Sequence, residues 1–481
     1  MGVGALRLSR FLRLSAARSI PLVLAMFLPL SLGPFLLPGK STSQPASRPG
    51  KGGKRASDPG QARTQPFSRA LSSDYPALLF FFFSPRNSMV KKPPPPPVVQ
   101  LRVAAEGRHP HFPRKMIRKP TTLVPAGSVV RVKDKEGRYL GQGFYNPRAG
   151  LSLRMVTWRK DEQVDLDLLS RRLEAAVRLR RDLLRLDRVT DAYRLVHGDG
   201  DGLPGLVVDK LGKILVVEVR LLGMQPFLDG LGRRLKKLVP NQGMVLVTEQ
   251  RAAKVEGLEP PPPPPQDLEV EVREGKARFL VRPGQGHKTG FFCDQRDQRL
   301  QAERFARGRR VLDLCCYTGG FAVHCALGGA RSVTALDLDE KILPQARANF
   351  RRNQVKVVLK KGDAFDFLRE AASAGKEWDL VILDPPAFAR GRGQVTAAVE
   401  KYQDLNRLAW KVLAQGGLLL SCSCSPPVGP ELFLKAVRGA VEGFSGLARV
   451  LATGGAGPDH PLHLHCPETR YLKTVWLQKE R

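Results

Sequence analysis

Val311-Leu312-Asp313-Leu314-Cys315-Cys316-Tyr317-Thr318-Gly319-Gly320-Phe321, followed by Thr334-Ala335-Leu336-Asp337, decides the fold. An apolar strand runs into a glycine-bearing turn, a helix follows, and a second strand closes on an acid. That is one βαβ half of a doubly wound parallel sheet. Gly319 and Gly320 let backbone approach a ligand where the turn enters the helix. Asp337 suits the hydrogen bonds of a ribose diol. The turn lacks a GxGxxG, and a packing turn in any α/β protein would explain the glycine pair alone.

Working outward, the strand Val355–Leu359 leads into Lys360-Lys361-Gly362-Asp363-Ala364-Phe365, an acid and an aromatic where an adenine would lie. Acids at three successive strand ends, with Asp313 inside the first strand, fit S-adenosylmethionine better than NAD, whose diphosphate wants more glycine at the first turn. Next, Val381-Ile382-Leu383 runs into Asp384-Pro385-Pro386-Ala387-Phe388. Pro-Pro removes two amide donors and stiffens the turn, which holds Asp384 towards the pocket. Such a turn can serve a nitrogen or a carbon target.

The strand Gly417-Leu418-Leu419-Leu420 is followed by Ser421-Cys422-Ser423-Cys424-Ser425-Pro426. C5 of a pyrimidine becomes nucleophilic only after addition at C6, and a thiolate is the usual agent. Cys424, at the strand mouth between two serines, is the candidate nucleophile; Cys422 is read as a buried filler. Pocket, acid and thiol at one sheet edge suggest methyl transfer to a pyrimidine carbon.

The 481 residues carry a net charge of +33, of which residues 1–90 hold +10 and the remainder +23. So large an excess, not confined to a tail, points to a polyanionic partner, with a solvated basic surface as the plainer explanation. Seven cysteines without repeated spacing exclude a disulfide framework and offer no zinc pattern, so no metal ligands are read here. Reduced thiols and a cytoplasmic protein follow.

Residues 1–95 read as a low-complexity, signal-like extension. Arg7, Arg10, Arg13 and Arg18 precede the proline-broken apolar stretch 20–37, which is too interrupted for a spanning helix. Met89 is the alternative start, and no stable membrane association is expected. After the stiff Pro93–Pro97 spacer, Val129–Val132, Tyr139–Tyr145 and Leu151–Val156 read as strands of a small β-rich module with interleaved Arg and Lys. Helical spacing over Leu166–Leu186 and the paired strands Leu206–Asp209 and Ile214–Val219 form a central α+β region, with Pro260–Pro265 as a loop inside it. From about Gly284, helix and strand alternate to the end.

Gly286-His287-Lys288-Thr289-Gly290-Phe291-Phe292-Cys293-Asp294-Gln295-Arg296, with Tyr317–Phe321, Asp384–Phe388, Ser423–Ser425, Asp201–Gly205 and Asp459-His460-Pro461, resembles one family over residues 95–481. These are the bacterial 23S rRNA cytosine-5 methyltransferases with an N-terminal PUA domain. The resemblance implies a PUA module (96–163), a central α+β domain (164–281) and a class I Rossmann-like methyltransferase domain (282–481). It implies that Cys424 attacks C6, that Asp384 holds the base, and that S-adenosylmethionine lies against Asp313, Tyr317, Thr318, Gly319, Gly320, Asp337 and Asp363. Lys288, Thr289, Gly290, Phe291, Asp294 and Arg296 would close over it. The implied partner is 23S rRNA or a large-subunit precursor, and a homodimer is allowed for. Three features depart from the pattern: the extension, the six-proline insert, and His111, which stands where a tryptophan is usual. Two rivals stay open: an N-directed purine methyltransferase using Asp384-Pro385-Pro386, and a non-catalytic ribosome-associated RNA-binding protein.

Overall fold

The computed structural model describes residues 95–104, 107–286 and 289–480. The reading of the N-terminal extension therefore lies outside the described residues. Five short strands, β1 (Val98–Gln100), β2 (His111–Phe112), β3 (Ser128–Lys133), β4 (Tyr139–Tyr145) and β5 (Leu153–Thr157), form a first sheet in the order β1-β3-β4-β5-β2. Alternate residues Val130 and Val132 of β3 turn inward onto Val99, Phe112, Leu153 and Met155. This period-two burial is what the short apolar-polar runs require.

The helix α1 (Leu166–Arg178) starts at Asp165, whose side chain accepts from Leu168 N at 2.8 Å and caps the first turn. The expected helix to Leu186 ends earlier: a wider turn takes over at Leu179–Leu183. It brings Arg180 inside, where the guanidinium forks onto Asp201 at 2.6 and 2.9 Å and also donates to the Asp459 carbonyl. Arg180 thus serves neither solvent nor phosphate.

Strands β6 (Ala192–His197), β7 (Leu206–Leu211), β8 (Ile214–Val219) and β9 (Gly243–Val247) make a four-stranded sheet covered by α1 and α2 (Leu228–Leu238). The six prolines run as a loop after the short helix α3 (Gln250–Glu256), ahead of the hairpin β10 (Val270–Glu274) and β11 (Ala277–Val281).

The remaining chain builds a seven-stranded sheet from β12 (Arg310–Leu314), β13 (Ser332–Asp337), β14 (Val358–Lys361), β15 (Trp378–Leu383), β16 (Leu413–Ser423), β17 (Ala448–Gly454) and β18 (Lys473–Lys479). Its order is β14-β13-β12-β15-β16-β18-β17. One face packs on α4 (Arg296–Phe305), α5 (Gly320–Leu327), α6 (Leu343–Arg352) and the β10–β11 hairpin. The other packs on α7 (Ala364–Ser373), α8 (Val395–Lys411) and α9 (Pro430–Val441). Residues of β15 alternate between the two cores, Leu380 and Ile382 to one and Val381 and Leu383 to the other. Burial on both faces explains its unbroken apolar run.

Two expectations are corrected. The sheet is not parallel to its end, because β18 pairs antiparallel with both β16 and β17. The strand expected at Val355–Leu359 lies at Val358–Lys361, because Gln354, at φ +54°, ends α6 and Val355 N bonds back to Phe350 O. All seven cysteines are free. Among the described residues no helix is long and apolar enough to cross a membrane.

Candidate active site at the carboxyl edge of the large sheet

Beyond β12 the chain makes a tight turn with Cys315 at φ +61°, Tyr317 at φ +50° and Gly319 at φ +80°. Two non-glycine residues in the left-handed region so close together need outside support. Cys316 N bonds Leu336 O at 3.0 Å, and Tyr317 N bonds the Asp337 carboxylate at 2.8 Å. Asp337 thus ties the second strand end to the first turn, and its other oxygen accepts from Asp339 N. Gly319 admits no side chain: a Cβ there would sit 2.4 Å from a ring carbon of Phe350. Thr318 is buried, and its carbonyl accepts from Asn349.

Asp313 is wholly buried in β12. One oxygen accepts from Ala322 N at 3.0 Å; the other has no partner among the described residues. Burial pushes its carboxyl up to about 8, the Asp384 and Asp337 charges add to this, and the Ala322 amide works against it. An unpartnered buried oxygen beneath a turn that ends in Gly319-Gly320 fits a polar ligand that brings its own donors. Asp363 caps α7, accepting from Phe365 N and Asp366 N.

The parallel register of β15 and β16 sets Leu383 opposite Ser421, so Asp384 and Cys424 emerge at the same edge. Asp384 Oδ1 accepts a 2.8 Å hydrogen bond from Gln295 Nε2. Cys424 is half-buried, its sulfur 3.7 Å from the Pro385 carbonyl oxygen. Cys422 is fully buried in the core, and burial pushes its thiol well up. Ser425 clips the two turns together. Its hydroxyl accepts from Ala389 N at 3.0 Å and meets the Tyr402 hydroxyl at 2.9 Å.

Lys473, at the start of β18, donates to the carbonyls of Ser425 (2.6 Å) and Tyr471 (2.8 Å). Burial pulls its ammonium down to about 8, against the opposing pull of a Cys424 thiolate. Neither Gln295 nor Lys473 was singled out from sequence. Gln295 sat unexplained inside a quoted motif, and a lone lysine opening an apolar strand carries no signal.

The 289–296 segment is built into the protein's own contacts. Thr289 donates to Asp209 at 2.6 Å, Phe291 lies against Phe279 and under Arg299, and Asp294 accepts from the Tyr471 hydroxyl at 2.6 Å. Gly290, at φ +112°, passes so near Arg282 O that a Cβ would lie 2.4 Å from it. Arg296 forks onto Asp459 with both bonds at 3.0 Å. Lys288 lies outside the described residues. The segment reaches the first turn through Phe292, whose ring meets Tyr317 edge-on with centroids 4.9 Å apart.

A family model described as S-adenosylmethionine-dependent methyltransferase matches residues 193–449. The chain belongs to this methyltransferase family. A second model, described as a PUA-like domain, matches residues 103–158 and so falls on the first sheet. The methyltransferase is 36% identical over 379 residues to a protein of Tolumonas auensis, covering 76% of this chain and 94% of the relative. It is 32% identical over 373 residues to one of Escherichia coli, with the same coverage. Both relatives are named ribosomal RNA large subunit methyltransferase I. Among solved structures, a provisionally assigned SAM-dependent methyltransferase from Streptococcus mutans matches with a TM-score of 0.68 at 20% identity, over 79% of this chain and all of that one. A methyltransferase crystallised with SAH matches at TM-score 0.67 and 20% identity, over 80% of this chain and all of that one. The methyltransferase's cofactor is S-adenosylmethionine.

Proposed function

We propose that this methyltransferase modifies C5 of a cytosine in 23S ribosomal RNA through a transient bond between Cys424 and C6 of the base. The observation that carries the reading is the half-buried Cys424 sulfur beside the Asp384-Pro385-Pro386 turn, 3.7 Å from the Pro385 carbonyl. The relatives' names support large-subunit rRNA as the substrate class. S-adenosylmethionine would supply an electrophilic methyl group at this edge, held by Asp313, Tyr317–Gly320, Asp337 and Asp363, with the 288–296 segment over it.

A target cytosine has to leave its stack to reach the pocket. Asp384, steadied by Gln295, bonds the N3/N4 edge of the base. The Cys424 thiolate adds to C6, and the electron pair displaced from the C5–C6 bond makes C5 nucleophilic. After methylation at C5, loss of the C5 proton to a base expels the thiolate and restores the ring. Lys473 holds positive charge near the sulfur and favours the thiolate. Residues 96–163 would bind RNA, 164–281 would bridge, and 282–481 would carry the chemistry; the extension 1–95 has no part in this scheme.

An N-directed purine methyltransferase is the second reading, favoured by the Asp384-Pro385-Pro386 turn itself. Methyl transfer from labelled S-adenosylmethionine to unmodified 23S rRNA, followed by nucleoside mass spectrometry, separates the two. Label in 5-methylcytosine that vanishes in Cys424→Ala supports the thiol route; label in a purine that survives the substitution overturns it.

A further inference from the structure

Away from the methyl-transfer edge, metal-binding side chains converge where the start of the first sheet meets the loop before β18. One ring nitrogen of His109, Cys466 Sγ and one carboxylate oxygen of Glu468 all lie within 4.8 Å of one another. His109 Nε2 is 3.3 Å and Cys466 Sγ 3.5 Å from the same Glu468 oxygen. A tetrahedral zinc has bonds of about 2.0 Å to nitrogen and oxygen and about 2.3 Å to sulfur. Its ligand atoms therefore stand roughly 3.3 Å apart for N···O and roughly 3.5 Å apart for S···O. The two separations to Glu468 are the edges of such a tetrahedron.

The surroundings are those of a metal site as well. His111 Nδ1 lies 3.8 Å from the Cys466 sulfur, while its other nitrogen is 3.1 Å from Asp199 Oδ1. A carboxylate behind an imidazole fixes which nitrogen offers its lone pair, the usual support of a metal-bound histidine. His109 Nδ1 accepts from the His111 backbone N–H at 3.2 Å, so Nε2, which faces Glu468, would give up its proton on binding a metal. Cys466 is buried, and His109 and Glu468 are open to solvent, so an ion has a path in.

We propose that Cys466, Glu468, His109 and His111 form a structural zinc site, with His111 turning through Nδ1 to complete the tetrahedron. All four positions would be filled by protein, which suits a structural and not a catalytic ion. The ion would pin β2 of the first sheet to the loop that leads into Tyr471 and Lys473. Cysteine spacing gives no hint of it, since the only cysteine involved finds its partners at both ends of the described chain.

The test is zinc binding to the full chain, tag-free and stripped with a chelator, by competition against a chromophoric chelator, with cobalt(II) as the spectroscopic probe. One zinc per chain is expected, and cobalt should give a sulfur-to-metal charge-transfer band with intense tetrahedral d–d absorption. Cys466→Ser should remove that band. His109→Ala, at a solvent-facing position that spares the core, should weaken zinc binding at least tenfold, and Asp199→Asn by about 10–100-fold as an outer partner. Absence of stoichiometric zinc, a cobalt spectrum without the thiolate band, or unchanged affinity in both Cys466→Ser and His109→Ala would overturn the proposal. None of these readouts depends on methyl transfer.

Discussion

Gln295 donates a 2.8 Å hydrogen bond to Oδ1 of Asp384, so the segment before α4 orients the acid at the end of β15. Hydrogen bonds to charged groups contribute about 1.5–3 kcal/mol. Gln295→Leu should therefore lower kcat by roughly 10–150-fold, with a smaller change in the cofactor's Kd. Steady-state kinetics beside cofactor titration measure the split; an unaltered kcat would show that Asp384 needs no such support.

Lys473 sets a pH dependence. Its ammonium is charged below about 8 and lies near enough to a Cys424 thiolate for the two to interact. Lys473→Gln removes that charge, so the thiol's pKa should rise. The alkaline-rising limb of both methyl transfer and Cys424 alkylation should move to higher pH. A limb that stays in place would leave the lysine with only its two carbonyl partners to explain it. The folded pKa lies below the usual 10.5, so the penalty of burying the charge is present at neutral pH and is relieved between about 8 and 10.5.

Asp313 runs the other way. Its folded pKa, near 8, stands above the unfolded value of about 3.9, so the folded chain holds the extra proton between them. Its contribution to stability is complete below pH 4 and is lost as pH rises through 8. Asp313→Asn cannot ionise, so its stability relative to wild type should improve steadily from pH 5 to pH 8 in cofactor-free urea titrations. A constant difference would mean that the carboxyl is already ionised in the fold.

Gly319→Ala should destabilise the protein by about 1–3 kcal/mol through overpacking, because the new methyl would strike Phe350 at 2.4 Å and the backbone is left-handed there. Cofactor affinity should fall with it. In Gly319→Ala/Phe350→Leu the clash is relieved and the positive φ is not, so denaturation should show partial recovery; full recovery would make the clash the whole effect.

The large sheet was legible because its central strands announce themselves. Val381–Leu383 is apolar on both faces and ends at Asp384, while Val311–Leu314 is apolar but for Asp313, one residue short of its end. Strand direction at the far side was not legible, since β18 has the same composition whether it runs parallel or antiparallel. Buried charge was also hidden. Arg180, Arg194, Arg296 and Arg299 are each enclosed against a carboxylate, yet in sequence they look like the basic surface residues around them. Gln295 escaped notice for a related reason: its role is set by a partner on a distant strand, which no local spacing records.

The placement of Lys473–Lys479 between two strands that precede it has a consequence for biogenesis. Translation delivers β16 and β17 first; β16 can pair with β15 along one edge, but its other edge and the whole of β17 wait for the later segment. Through that interval the edge of Leu418–Leu420 away from β15 presents unpaired amides and carbonyls on an apolar strand, a ready template for pairing with another nascent chain. The step that completes the sheet is also the step that delivers Lys473 to the cysteine loop, so a nascent chain carries the thiol before it carries the charge beside it.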